Sequence, residues 1–396
     1  MSARDRRALR ALAVQFFVNG AVWATVASRL PAVRDRVGIT VGVLGAVLMI
    51  GNLSSLVGSL FTARLLARVS SRWVMVVGGG FYVAALPIVG MSRSPVVLVV
   101  GLVVLMWFDV FIDVAMNYQA SVVSARREMP VMNRLAGLWS LGTVSGGLVA
   151  IGVAQAGVSP AVHFALASIV LLAALSIASP RLLRVDEPHP HQLAEGPRAG
   201  HRRWLASAAV VLGLANAMAV TLDITSGDWA TFRLTDDLQA SAGTAVAAFV
   251  AFTAGMTSGR LAGDAVLVRV GRVRLTQLGA ATSGVGLALA TLVPSRWIAL
   301  VGFAISGLGT SILSPQLSDA AARAPGPVGS GFRTLFVGHR AAALIVPLAI
   351  GNLANTTRFS VGSAMAIVAI PTAAVLMVTA RTAISDKPTV AAGHHT

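Results

Sequence analysis

Along this chain, long apolar runs free of charge alternate with short clusters of arginine. Residues 73–92, 238–259, 275–295, 297–318 and 359–380 each run at least 20 positions without Asp, Glu, Lys or Arg. A helix rises about 1.5 Å per residue, so about 20 residues cross a hydrocarbon core of about 30 Å. Strands of a membrane barrel are about half as long and alternate in polarity. These runs do neither, and the pattern predicts helices that satisfy their own backbone groups. Breaking the chain at its Arg, Pro and Gly clusters predicts twelve spans, near 11–30, 41–63, 73–91, 95–118, 133–155, 161–179, 205–227, 242–262, 275–294, 296–318, 332–351 and 359–380.

Composition agrees with this pattern. With 56% hydrophobic residues, 12% charged residues and a mean hydropathy of +0.78, the chain has more apolar surface than a soluble interior hides. The one long polar interruption, 181–204, contains Pro188, Pro190 and Pro197. It separates six spans in 1–180 from six in 205–381, and 382–396 forms a tail. The halves share landmarks: Trp23-Ala24-Thr25 returns as Trp229-Ala230-Thr231, 206 positions on, and Arg68-Val69 returns as Arg269-Val270, 201 positions on. Two landmarks in the same order indicate a duplication. The expected fold is an all-α membrane protein of twelve transmembrane helices in two pseudo-symmetric six-helix bundles. The first span follows Arg4, Arg6, Arg7 and Arg10, but it outlasts a signal-peptide core and contains Asn19, so it is expected to be retained.

A net charge of +16 and a pI near 11.8 would suggest nucleic acid in a soluble domain. Here the location of the charge explains it: with a cytoplasmic N-terminus, 23 of the 31 basic residues fall on cytoplasmic segments. The positive-inside rule then orients the protein with both termini in the cytoplasm. No interleaved aromatics or nucleic-acid fold accompany the charge, so no nucleic-acid partner is expected. Zero cysteines exclude disulfides and thiol catalysis, and His189, His191 and His201 lie in the polar central segment, so neither a metal nor a cofactor is expected. No nucleophile, base and cofactor motif converge, which argues against an enzyme. The Gly-rich stretch at 35–45 leads into an apolar span rather than a phosphate-binding turn. The expected partners are membrane lipid, a small-molecule substrate and protons, and a monomer suffices.

Polar groups inside the spans are the candidates for function, because each is costly in lipid. In span 4, Asp109, Asp113 and Asn117 recur every four residues and form one stripe on an otherwise apolar helix. Two neighbouring carboxylates in a low dielectric do not both hold a charge readily, so a proton is expected to come and go as the site is wetted and dried. The pair could instead neutralise a buried arginine, and span 11 carries His339 and Arg340. Asp223 in span 7 is a further coupling candidate. Asp228 reads as a helix-end residue and Trp229 as an interfacial anchor. Asn19, Asn117, Trp139, His339 and Arg340 are expected to line a substrate cavity, whereas Asn52, Asn216, Ser306, Gln316 and the span 5 glycines Gly142, Gly146 and Gly147 read as helix-packing residues.

With these features in view, the chain resembles the major facilitator superfamily over nearly its whole length. The sequence "GRLAGDAVLVRVGR" at 259–272 is similar to that family's signature between the second and third helices of a half. The resemblance assigns Gly259, Asp264, Arg269 and Arg272 to a cytoplasmic latch that helps to hold the halves together when the cavity faces outward. The first-half copy keeps Gly58, Arg68 and Arg72 but has Ala63 where the repeat aligns Asp264. Segments "DVAMNYQA" and "MNRLAGLWSLGTVSGG" resemble a little-characterised bacterial branch and, more distantly, fucose-type sugar–proton symporters, in which an acid and an amide of helix 4 match Asp113 and Asn117. The implied activity is proton-coupled symport of a sugar-like or small organic solute. Efflux by drug–proton antiport is the alternative, although Gly147 stands where that class has a proline after its helix 5 glycines. A receptor or scaffold descended from a carrier is the alternative from another class.

Overall fold

The computed structural model describes residues 3–127, 131–183, 203–322, 330–356 and 358–384. Twelve long helices follow in order: α1 (Ala3–Val37), α2 (Val41–Arg68), α3 (Ser71–Met91), α4 (Pro95–Arg127), α5 (Met132–Gln155), α6 (Pro160–Ala178), α7 (Arg203–Gly227), α8 (Ala242–Val270), α9 (Arg272–Leu292), α10 (Arg296–Ala322), α11 (Ser330–Ala354) and α12 (Val361–Ala383). All twelve are long and apolar enough to cross a membrane. Helices α2, α4 and α8 overrun their expected ends on the side that carries the termini, because their arginine-bearing turns stay helical beyond the apolar stretch. Helix α1 continues through Arg29 and Pro31 rather than stopping there. The central segment 184–202, with its three histidines, lies outside the described residues.

Local chemistry sets several helix starts. The side chains of Thr40, Ser159, Ser241 and Ser360 accept backbone N–H bonds in the first turns of α2, α6, α8 and α12, and Pro160 follows Ser159 at the first position of α6. Gly271, the single residue between α8 and α9, has φ of +79°, a conformation that costs glycine little.

Packing repeats with the helix number shifted by six. The pairs α1·α5, α2·α4, α3·α4, α3·α6 and α1·α6 have counterparts in α7·α11, α8·α10, α9·α10, α9·α12 and α7·α12. Two six-helix bundles result, related by a pseudo-twofold. Small residues permit the closest approaches: Gly20 and Gly142 bring α1 and α5 together backbone to backbone, as Gly213 and Gly338 do for α7 and α11. Gly146 packs on Ala21 and Ala24 of α1, and Gly147 meets Val250 of α8, so the span 5 glycines sit at helix contacts. Asn216 donates to the Leu335 carbonyl at 2.7 Å, also a packing bond.

The bundles meet chiefly through α2 with α11 and α5 with α8, itself a pair related by the same shift. At the end opposite the termini, Gly45 lies against Pro347 and Gly351, and Gly243 lies against Gln155. There Arg34 of α1 also grips both carboxylate oxygens of Asp236 in the second half and stacks 5.4 Å over the Phe232 ring. Toward the termini the crevice is open, and Asp113, Ser121, Arg260 and His339 are all exposed.

The chain between α7 and α8 departs from expectation. Beyond Asp228 it continues as a short helix, Ala230–Phe232, and a wide π turn, Arg233–Asp237. Trp229 is 0% exposed and packs against Phe232 with ring centroids 5.2 Å apart, so it is a core residue and not an interfacial anchor. Arg233 donates to the Ala290 and Val293 carbonyls at the end of α9 and to Asp237 at 2.8 Å. Asp237 in turn accepts from the Val361 and Gly362 amides that start α12. One buried ion pair thus joins the ends of two helices.

Candidate functional site

The polar stripe of α4 faces the crevice between the bundles. Asp109 is half-buried and Asp113, one turn nearer the termini, is exposed into the opening. The Asn19 amide nitrogen of α1 donates to Asp109 Oδ1 at 2.8 Å, and Trp139 Nε1 of α5 donates to Asn19 Oδ1 at 2.8 Å. The Tyr82 hydroxyl of α3 donates to the Asn19 carbonyl at 3.4 Å and lies beside Asp109. Four helices of the first bundle therefore converge on Asp109. Asn117 bonds the Asp113 carboxylate at 3.0 Å and the Asp113 carbonyl at 2.7 Å, as the four-residue spacing requires.

Asn19 departs from its expected place. It is 6% exposed and uses both ends of its amide on Asp109 and Trp139, so it orients the carboxylate instead of lining the cavity. The sequence placed it on the right helix, but a helical face alone does not distinguish an amide that meets solute from one that holds a neighbour.

Arg340 enters from α11 of the opposite bundle. Its Nη1 donates to Ser55 of α2 at 2.7 Å, its guanidinium lies 4.8 Å over the Phe336 ring, and it is close enough to attract both Asp109 and Asp113. Among the described residues no Arg340 nitrogen comes within 4.0 Å of either carboxylate, so the pair is attracted without being neutralised by contact. His339 is exposed beside it.

A second constellation centres on Asp223 of α7. Arg260 of α8 attracts it, donates to Ser140 of α5 at 2.9 Å and lies 5.9 Å over the Trp139 ring, so it reaches across the bundles to the α5 tryptophan that also holds Asn19. Asp228 is near enough to repel Asp223. Sequence reasoning missed Arg260, Ser55 and Tyr82. Arg260 was the legible one, since it interrupts an apolar span, but it also opens the arginine-rich motif and reads there as a topology charge.

Two residues of the latch motif make contacts within their own half. Gly259 packs on Leu308 and Ser311 of α10, and Arg272 pairs with Asp319 at 2.7 Å within its own half. Arg68 and Arg269 are exposed, and the Asp264 side chain lies outside the described residues.

Two pseudo-symmetric six-helix bundles enclosing a charged crevice that is sealed at one end define a secondary transporter working on a small solute in a membrane. The family model of the Major Facilitator Superfamily matches residues 12–338, and the chain belongs to that family. It is similar to an uncharacterized MFS-type transporter of Yersinia pestis, 28% identical over 348 residues that cover 87% of this chain and 88% of the relative. The membrane protein MosC of Rhizobium meliloti is 25% identical over 352 residues, covering 88% and 84% respectively. Among solved structures, a mutant of the nucleoside transporter NupG superposes with a TM-score of 0.76 at 11% identity, covering 95% of this chain and 100% of that one. A bacterial homologue of the human lysosomal transporter Spinster, inward-facing and unoccupied, gives 0.70 at 12% identity over 99% and 100%. At such identities these structures establish the fold alone.

Proposed function

We propose that this protein is a proton-coupled symporter of a small hydroxylated organic solute in the bacterial cytoplasmic membrane, working by alternating access with both termini in the cytoplasm. The observation that carries the reading is the placement of Asp109 and Asp113 in the crevice, with Arg340 approaching from the other bundle and no contact ion pair between them. With the termini cytoplasmic, the conformation is open inward, and the Arg34–Asp236 grip closes the outer end. The exposed Asp113 and Asn117 pair offers an acceptor and an amide to solute hydroxyls. A proton on the carboxylates weakens their attraction to Arg340, which frees one bundle to rock against the other.

The test uses purified protein in lightly buffered, de-energised vesicles, with sugars, carboxylates and cationic drugs added outside in turn. Symport predicts external alkalinisation with a hydroxylated solute. External acidification would establish antiport instead, and a response to none of the three classes would remove the coupling proposal.

A further inference from the structure

Away from the crevice, a groove of about 280 Å³ runs along the outer face of the first bundle between α3 and α6. Arg72, Trp73, Val76, Gly80, Leu172 and Leu175 line it. On α3, Arg72, Val76 and Gly80 recur every four residues, so they form one stripe about 12 Å long. The floor is apolar over the stretch farther from the termini. A side chain at Gly80 would meet nothing within 4 Å, so the groove is open there.

The end nearer the termini has a different character. Arg72 lies in the first turn of α3, whose Ser70 cap makes no side-chain bond, and the positive end of the helix is directed there. The Arg72 guanidinium sits 6.0 Å over the Trp73 ring, and among the described residues Arg72 has no carboxylate partner. Ser176 of the facing chain adds a hydroxyl at the same end, where Ser179 donates to the Leu175 carbonyl and Arg181 folds back onto the Ile177 carbonyl. Trp73 is 57% exposed, as suits an aromatic ring at headgroup depth.

We propose that this groove binds one anionic phospholipid, with its phosphate and acidic headgroup at Arg72 and the start of α3 and one acyl chain along Val76, Gly80, Leu172 and Leu175. A half-bilayer is about 15 Å deep, so the 12 Å stripe matches one chain within a single leaflet. An unpaired guanidinium above an apolar slot selects for charge at one end and for hydrocarbon at the other. The site does not depend on the transport reading.

Native mass spectrometry of the full chain in neutral detergent tests this, with phosphatidylglycerol and phosphatidylcholine of matched chains supplied together. The wild type should retain one phosphatidylglycerol in about fivefold preference over phosphatidylcholine, the scale of one basic residue at an anionic surface. Arg72→Gln should lower that preference toward parity while lipid is still retained, and Gly80→Leu should displace both lipids by filling the slot. Equal retention of the two lipids by the wild type would overturn the proposal, as would an unchanged preference in Arg72→Gln.

Discussion

Asp113 and Asp223 are carboxylates at the same crevice, yet the two bundles hold them differently. The first bundle surrounds its acids with its own amides and rings: Asn19, Tyr82 and Trp139 converge on Asp109, and Asn117 holds Asp113. The second bundle supplies arginines, with Arg340 turned toward the acids of the first and Arg260 toward Asp223. A pseudo-twofold in the backbone therefore does not impose a twofold in the chemistry. Under the proposed alternating access, the acids of one half meet a cation carried by the other, and a proton arriving there would change the force between the two bundles. Asp223 and Arg260 belong to the same bundle, so their attraction changes less when the bundles rock.

The largest effect should come from the first bundle's carboxylates. Asp113→Asn is expected to abolish solute-driven proton movement while leaving solute exchange partly intact, whereas Asp223→Asn should slow uptake without uncoupling it. Accumulation assays with and without a proton gradient distinguish these outcomes, and equal loss in both variants would erase the asymmetry. Next, Arg340→Gln should impair accumulation more than Arg260→Gln, because only Arg340 acts on both Asp109 and Asp113 across the bundles. The comparison of initial rates under an imposed gradient decides it.

Changes in stability follow. Asp237→Ala removes the acceptor for the Val361 and Gly362 amides of α12 and strands the buried Arg233, which should destabilise the second bundle by roughly 3–5 kcal/mol. Asn19→Ala removes the amide that bonds both Asp109 and Trp139 and should destabilise the first by about 1–3 kcal/mol. Thermal unfolding in detergent ranks the two, and the reverse order would show that the far-end ion pair matters less than the crevice network. Smallest is Arg34→Gln, which should raise exposure of the sealed end to a membrane-impermeant thiol reagent at a cysteine introduced beside Asp236, with little change in unfolding temperature.

The number and order of helices were legible because lipid leaves few alternatives to a charge-free helix of about 20 residues. The stripe of Asp109, Asp113 and Asn117 was legible for a related reason, since a four-residue spacing fixes a shared face before any tertiary contact is known. Depth was not legible. Asn19 and Trp139 lie on helices whose partners are set by glycine contacts 120 positions apart, and periodicity does not reveal which amide they share. Trp229 was misplaced because chain continues as helical turns beyond Asp228, which carries the ring into the core. Arg260 was hidden by its neighbours: in a motif rich in arginine, one that turns inward has the same sequence context as those that face solvent.

The most direct measurement is the pH of the outside medium in de-energised vesicles when a transported solute is added, wild type beside Asp113→Asn. Alkalinisation in the wild type and none in the variant, with labelled solute still exchanging in both, is the result expected if the first bundle's carboxylates carry the proton. Alkalinisation of equal size in the variant would contradict that assignment and move the coupling site away from Asp113.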